Sequence, residues 1–222
     1  MTQKTFTETD FIKATGADHT AMAKLRHYHK LLLEWNPKIN LVSASTLNEA
    51  WGRHFLDSAQ IGPRPEVLGQ PEQLSCLTPW ALGLGPSIAD LGSGAGFPGL
   101  VLAVMGVPNI TLIERDIRKG AFLRTVAAET KTKVEILSSD IKAIKNRQFD
   151  VITSRAMADV GELLSISEPL RKPSTSCLFL KGKNLDAELA LAQKDWSMQV
   201  YKKHSLTDNE AFIVQLSHVK RY

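Results

Sequence analysis

Between Asp90 and Gly99 the chain reads DLGSGAGFPG. Glycines at 92, 94 and 96 let a backbone turn tightly and approach a ligand with no β-carbon in the way. Read from Gly94, the segment also fits the dinucleotide fingerprint G-x-G-x-x-G, with Glu114 about 20 residues on as a ribose-binding acid. Register separates the two readings. In a dinucleotide site the first glycine leaves the strand directly, whereas here Asp90 and Gly92 come first, in a D-x-G-x-G-x-G pattern. An acid at a strand tip suits a cationic ligand, and a pyrophosphate is better served by a bare helix N-terminus. S-adenosylmethionine, with its sulfonium and ammonium groups and no phosphate, meets that condition. Pro98 at the start of the next helix is compatible with either ligand.

Two further acids extend the pattern. Glu114 ends the second apolar segment, where a carboxylate can accept both ribose hydroxyls. Asp140-Ile141 follows the third, where the Asp can receive an adenine amino group while the next backbone N–H meets a ring nitrogen. Asp140 could equally serve as a helix N-cap. Acids at the carboxyl ends of three consecutive strands, together with the glycine loop, build one ligand crevice. The expected cofactor contacts in this pattern are Asp90, Gly92, Gly94, Gly96, Glu114, Asp140 and Ile141.

The segment after the fourth strand bears on the methyl acceptor. Enzymes that methylate exocyclic amines usually carry an Asn or Asp with Pro-Pro and an aromatic residue there; this chain has Ser154-Arg155-Ala156-Met157. Carbon methylation of pyrimidines needs a thiolate. Cys177 sits in an apolar strand and Cys76 in a linker, so both are read as inert. Guanine N7 has a lone pair and no proton to remove, so positioning alone suffices and no catalytic residue is expected.

The elements that must position these residues follow from periodicity. Strands are expected at Ser87–Leu91, Asn109–Glu114, Val134–Leu137, Asp150–Ser154 and Ser176–Lys181. Helices at Gly99–Met105, Arg118–Thr130, Val160–Leu170 and Leu185–Trp196 alternate with them, which predicts a parallel sheet covered on both faces. The tail, Ser197–His204 and Ala211–Ser217, reads as an antiparallel hairpin. Together these predict an α/β, Rossmann-like methyltransferase fold with a mostly parallel seven-stranded sheet. Ahead of it, residues 1–61 read as a helical extension. Asp18 is a candidate N-cap for a helix running to Trp35 and stopped by Pro37, and a second helix covers Leu47–Ala59. Residues 62–86, rich in Pro and Gly, read as a linker with a helical turn near Trp80, and 87–222 as the catalytic domain.

Composition sets outer limits. The 222 residues are 43% hydrophobic and 23% charged, with a net charge of +4, as in an ordinary globular protein that tolerates a polyanionic partner without requiring one. Two distant cysteines make neither a disulfide framework nor a zinc site, and no metal is expected. The start MTQKTFTETD lacks a secretory apolar core, and no stretch approaches the roughly 20 apolar residues of a membrane span, so a cytoplasmic protein is expected.

The order WNPKINLVSAST, RHFLDS, DLGSGAGFPGLVLA, IERDIRKGAFLR, VITSRAMA and LFLKGKN resembles the RsmG (GidB) family of bacterial 16S rRNA guanine-N7 methyltransferases. The resemblance spans about Leu25 to Asn184. It implies a methyltransferase Rossmann domain with a helical N-terminal extension. It also implies a substrate guanine in the 530 loop of 16S rRNA, on the small subunit or a precursor; separately, a monomer is expected. By matching motif, Gly92 and Phe97 would contact the cofactor and Arg155 of the SRA run would line the same pocket. Arg53, His54, Asp57 and Lys181 would lie toward the RNA together with Arg155. A structural ion pair for Arg155 and a satisfied, partly buried ring for His54 remain open alternatives. Arg118, Lys119 and Arg124 form a basic helix face that could hold phosphates or simply be solvated.

Two positions depart from the family pattern. Gly120 stands where a basic residue is usual, and Ser138-Ser139-Asp140-Ile141 replaces an Arg-Ala-Glu or Arg-Val-Glu run. Three other readings compete with the leading one: a small-molecule methyltransferase, a noncatalytic RNA- or ribosome-binding module, and a dehydrogenase. Salt sensitivity, S-adenosylmethionine binding and NAD binding separate them.

Overall fold

The computed structural model describes residues 6–62 and 85–222. The helical turn expected near Trp80, Cys76 and nearly all of the expected linker lie outside the described residues.

The N-terminal part is helical. Helix α1 (Glu8–Thr15) is closed by a reciprocal capping box between Thr7 and Asp10. Helix α2 (His19–Ile39) starts at Asp18, whose carboxylate accepts the Ala21 N–H at 2.7 Å. It does not stop at Pro37 as expected. Pro37 falls in the last turn and forfeits a single intrahelical bond there. That turn is held instead by the Asn40 N–H on the Asn36 carbonyl at 3.0 Å and by the Asn36 side chain accepting the Val42 N–H at 2.9 Å. Asn40, at φ 50°, ends the helix.

The expected helix over Leu47–Ala59 is broken into three pieces: a short turn α3 (Ala44–Leu47), a wide π-helical stretch Trp51–Leu56, and α4 (Asp57–Ala59). The wide turn is shaped by aromatic packing that a 3.6-residue period does not describe. Trp51 meets Phe11 at 5.5 Å and Phe55 at 4.9 Å, and Phe55 meets Phe97 edge-on at 5.4 Å.

The remaining chain forms the sheet. In order come β1 (Ile88–Leu91), α5 (Gly99–Val104), β2 (Ile110–Ile113), α6 (Ile117–Glu129), β3 (Glu135–Leu137) and β4 (Phe149–Arg155). Then follow α7 (Val160–Ser167), β5 (Arg171–Lys181), α8 (Leu185–Ala192), β6 (Trp196–His204) and β7 (Phe212–Arg221). The seven strands lie in the order β3-β2-β1-β4-β5-β7-β6. Neighbours are parallel from β3 to β5, and β7 enters antiparallel between β5 and β6. The inner strands β1 and β2 are buried at every position, as strands covered on both faces must be. Strand β5 begins five residues before the expected Ser176, where a register shift opposite Phe149 and Val151 accommodates Pro173.

Each face of the sheet carries a core. One contains Leu100, Val101, Phe122 and Val126 together with Leu25, Tyr28 and Leu32 of α2. The other contains Val160, Leu163, Leu164, Leu185 and Trp196. The N-terminal helices are thus part of the main core rather than an appendage. Chain direction across the sheet reverses between β1 and β4, and a crevice opens at that switch point, beyond the strands' carboxyl ends.

Candidate cofactor and acceptor site

The crevice is a cleft of about 450 Å³. Gly92 and Gly94 line it after β1, Glu114 and Arg115 after β2, Asp140 and Ile141 after β3, and Arg155, Ala156 and Met157 at the end of β4. Lys119 of α6 and Glu162 of α7 complete the rim, so acids and bases face each other across it. Six of the nine expected cofactor residues therefore share one cavity. Asp90, Gly96 and Phe97 lie behind the wall and support it.

Asp90 is fully buried, and its carboxylate accepts the Gly99 N–H at 3.2 Å and the Thr153 hydroxyl at 3.0 Å. It thereby ties the start of α5 to β4, and burial pushes its carboxyl pKa up to about 6. Glu114 closes the loop from the other side. One of its oxygens accepts the Gly94 N–H and the other the Asp116 N–H, both at 2.8 Å. Each oxygen keeps a further lone pair for a ligand hydroxyl.

Behind the loop, the fully buried Tyr28 of α2 donates its hydroxyl to the Ala95 carbonyl and stacks on Phe97 at 5.6 Å. Gly96, at φ 95°, leaves the space that the Tyr28 hydroxyl fills. At Gly92, φ 63°, a β-carbon would stand 2.5 Å from the Met157 sulfur.

Asp140 caps the short turn Ile141–Ala143, with Oδ1 accepting the Lys142 N–H at 2.8 Å. Its second oxygen takes no hydrogen bond among the described residues. The two departures from the family pattern are spatial neighbours. A β-carbon on Gly120 would lie 2.5 Å from the Ser138 hydroxyl, which accepts a hydrogen bond from Arg124 at 2.8 Å. Small residues at 120 and 138 therefore fit one another, and Arg124 is directed to Ser138. Of the expected basic face, Arg118 pairs with Asp116 at 3.3 Å and Lys119 alone reaches the cleft.

A second cleft of about 410 Å³ shares Arg155 and Ala156 with the first. Arg53, His54 and Asp57 form one wall, Lys181 and Gly182 another, and Thr207 and Asp208 of the β6–β7 turn a third. Arg155 lies between the two cavities. It donates to the Arg53 carbonyl at 3.1 Å, stands 3.8 Å from Asp57 and rests over the Phe97 ring at 5.1 Å. Arg53 pairs with Asp208 at 2.8 Å, and burial raises the Asp57 carboxyl pKa against the pull of Arg155.

Lys181 lines this cleft, but its ammonium is directed inward, to Glu188 and the Ala158 carbonyl, each at 2.6 Å. Glu188 also accepts the Val160 N–H at 3.0 Å, so Lys181 holds the loop that separates the two cavities.

His54 stacks on Phe97 at 5.0 Å and meets Thr46 through Nε2 at 2.9 Å. Burial, reinforced by Arg155 and Arg53, lowers its pKa from 6.5 to about 3. The folded state therefore resists the proton that an unfolded chain takes up near pH 6.5. Stability is complete above that pH and declines as pH falls toward the folded value, by at most about 1.4 kcal/mol per pH unit. His54→Phe retains a ring on Phe97 and removes this dependence. The stability difference between wild type and variant, from urea unfolding, is expected to shift toward the variant between about pH 7 and about pH 5. A difference independent of pH would refute it.

Sequence reasoning missed Tyr28 as a support of the loop, Met157 as the neighbour of Gly92, and the turn residues Ser205, Thr207 and Asp208. Tyr28 lies within the helix expected to run to Trp35, and no local signal shows that its hydroxyl reaches Ala95. Cys177 is fully buried, and burial pushes its thiol pKa up to about 12, so it holds no thiolate at neutral pH. Among the described residues no cluster of His, Cys, Asp and Glu could hold a metal ion, and no helix is long and apolar enough to cross a membrane.

A parallel sheet completed by an antiparallel β7 between β5 and β6, with its crevice at the β1–β4 switch, is the class I S-adenosylmethionine-dependent methyltransferase fold. A TehB-like SAM-dependent methyltransferase from Corynebacterium glutamicum superposes with a TM-score of 0.54 at 14% identity, over 87% of this chain and 98% of that one. A ribosomal protein L11 methylase from Lactobacillus delbrueckii subsp. bulgaricus gives 0.50 at 16% identity, over 62% and 72%. At such identities the likeness concerns the fold alone.

Sequence likeness goes further. Residues 21–214 match the GidB family, described as rRNA small subunit methyltransferase G. Proteins called ribosomal RNA small subunit methyltransferase G are 38% identical in Paramagnetospirillum magneticum, over 96% of both chains, and 40% identical in Rhodospirillum centenum, over 96% of this chain and 92% of that one. The chain belongs to the GidB family.

Proposed function

We propose that this protein transfers a methyl group from S-adenosylmethionine to N7 of a guanine in the 530 loop of 16S rRNA, on the small subunit or its precursor in the cytoplasm. The observation that carries the reading is the pair of clefts joined at Arg155 and Ala156, in a chain of the GidB family. One cleft has the character of a cofactor site, and the other lies against the helical part, as an acceptor site would.

The residues of the first cleft fit the cofactor. Gly92 and Gly94 present backbone without side chains, the Glu114 oxygens retain lone pairs, and Asp140 has an oxygen without a hydrogen bond among the described residues, beside the apolar Ile141. These would hold the methionine portion, the ribose and the adenine respectively. When bound, the cofactor supplies a sulfonium methyl that passes to N7, the bonding pair staying on sulfur and the positive charge moving to the purine.

N7 has no proton to lose, so no general base is required and positioning carries the rate. Arg155 would border both ligands. Lys181 would act by fixing the loop between them, and Arg53, His54 and Asp57 would face the base.

The test uses small subunits from a strain lacking the corresponding gene, incubated with the protein and labelled S-adenosylmethionine. One 7-methylguanine within the 530 loop is the expected product, formed less efficiently as salt rises. Label on another nucleotide class would sink the reading, as would no label at all. Calorimetry with the cofactor alone then distinguishes an RNA-binding module, which gives no heat, from an enzyme with another acceptor.

A further inference from the structure

The Asp57 carboxylate is fixed on one side and unfilled on the other. Its Oδ1 accepts three hydrogen bonds, from Gln60 at 2.9 Å, Ser205 at 3.0 Å and Thr207 at 3.1 Å. These donors are themselves held. Gln60 is 2% exposed, gives its other amide hydrogen to Ser205 at 2.8 Å and accepts the Leu206 N–H at 2.9 Å. Helix α4 and the β6–β7 turn thus lock the plane of the carboxylate.

Its Oδ2 takes no hydrogen bond among the described residues. The Arg155 guanidinium is 3.8 Å away, beyond hydrogen-bond reach. Oδ2 is thus a charged acceptor on the cleft wall, held among the described residues only by this long ion pair and able to take donors from a polar ligand seated there. On the same wall His54 Nδ1 is buried with no partner among the described residues.

We propose that Asp57 Oδ2 reads the target base by accepting hydrogen bonds from N1–H and the exocyclic N2 amino group of guanine. This rests on the guanine-N7 reading above. Among the four RNA bases only guanine places an N–H and an amino donor side by side on that edge. Adenine would present an acceptor lone pair to the carboxylate. N1 belongs to the six-membered ring and N2 is its amino substituent, whereas N7 belongs to the five-membered ring, on the opposite edge. Holding the donor edge at Asp57 therefore turns N7 away from the carboxylate and leaves it free for the methyl group. Asp57 thus selects the base and fixes which nitrogen meets the methyl group.

The experiment uses small subunits reassembled with either guanosine or inosine at the target nucleotide; inosine lacks only the N2 amino group. Wild type is expected to lose about 10- to 100-fold in kcat/KM on inosine, the range for hydrogen bonds to a charged group. Asp57→Asn turns an amide donor toward the base donors and is expected to lose a similar factor on guanosine. On inosine it should lose less than on guanosine, because only the N1–H contact is left to lose there, and it should keep wild-type affinity for S-adenosylmethionine. Equal wild-type activity on both particles would overturn the proposal without any variant being made. Equal losses by Asp57→Asn on both particles would overturn it too, by showing a merely structural role. If wild type forms no 7-methylguanine even on the guanosine particle, the underlying reading fails and this one fails with it.

Discussion

Gly96→Ala is expected to cost about 3–5 kcal/mol of stability and to abolish measurable binding of S-adenosylmethionine. Gly96 has φ 95°, a conformation in which an L side chain is strained by about 1–3 kcal/mol. The new β-carbon would stand 2.5 Å from the Tyr28 hydroxyl and 2.7 Å from Leu100 Cβ. Neither contact relaxes easily. Tyr28 is fully buried, stacked on Phe97 and edge-on to Phe55 at 5.2 Å, and Leu100 Cβ is fixed to the α5 backbone. Overpacking of this kind adds about 1–3 kcal/mol. Relief by displacing Tyr28 breaks its bond to the Ala95 carbonyl and shifts the glycine loop. Urea unfolding and calorimetry with the cofactor measure both effects. Adding Tyr28→Phe should restore part of the stability, since it removes the hydroxyl clash and leaves the one with Leu100. A Gly96→Ala protein with wild-type stability and affinity would show that α2 does not support the loop.

The second large effect is expected at Glu114. This residue is 7% exposed and holds the Gly94 and Asp116 N–H groups at 2.8 Å on separate oxygens. Glu114→Gln turns one acceptor into a donor facing an N–H, so one backbone group is left unsatisfied whichever way the amide is oriented. The same change removes a charged acceptor for the ribose. Affinity for S-adenosylmethionine should fall by about 100- to 1000-fold, which is about 3–4 kcal/mol from two affected charge-assisted bonds. Loss of stability should be the smaller effect, about 1–3 kcal/mol for the one unsatisfied backbone group. Titration calorimetry decides the matter. Unchanged affinity would remove Glu114 from the cofactor site.

Much of the fold was legible along the chain because its determinants are local. Alternating apolar strands and helices predicted the sheet, and β7 lies antiparallel where the tail pattern placed a hairpin. Asp18 caps α2 as its side-chain type and position required. Errors arose where a local rule met a tertiary contact. Pro37 was read as a stop, yet Asn36 and Asn40 secure the turn around it. The helix over Leu47–Ala59 was read as regular, yet packing among Phe11, Trp51, Phe55 and Phe97 accompanies a wider turn.

The site divides in the same way. Residue types near strand ends determined which groups would meet in the first cleft, because a parallel sheet brings the carboxyl ends of its strands together whatever the loops contain. Gly92, Gly94, Glu114, Asp140 and Ile141 needed nothing more, whereas Arg155 came from the family resemblance. For the second cleft the resemblance grouped Arg53, His54, Asp57, Arg155 and Lys181, and tertiary structure alone decided how they meet. Its walls come from residues near 54, 155, 181 and 207, joined by packing of the helical part against the sheet and the β6–β7 turn. It also decided that Lys181 turns inward, that Tyr28 supports the glycine loop, and that one oxygen of Asp57 is held while the other is left open. Such facts depend on where distant side chains end up, and neither periodicity nor motif spacing encodes that.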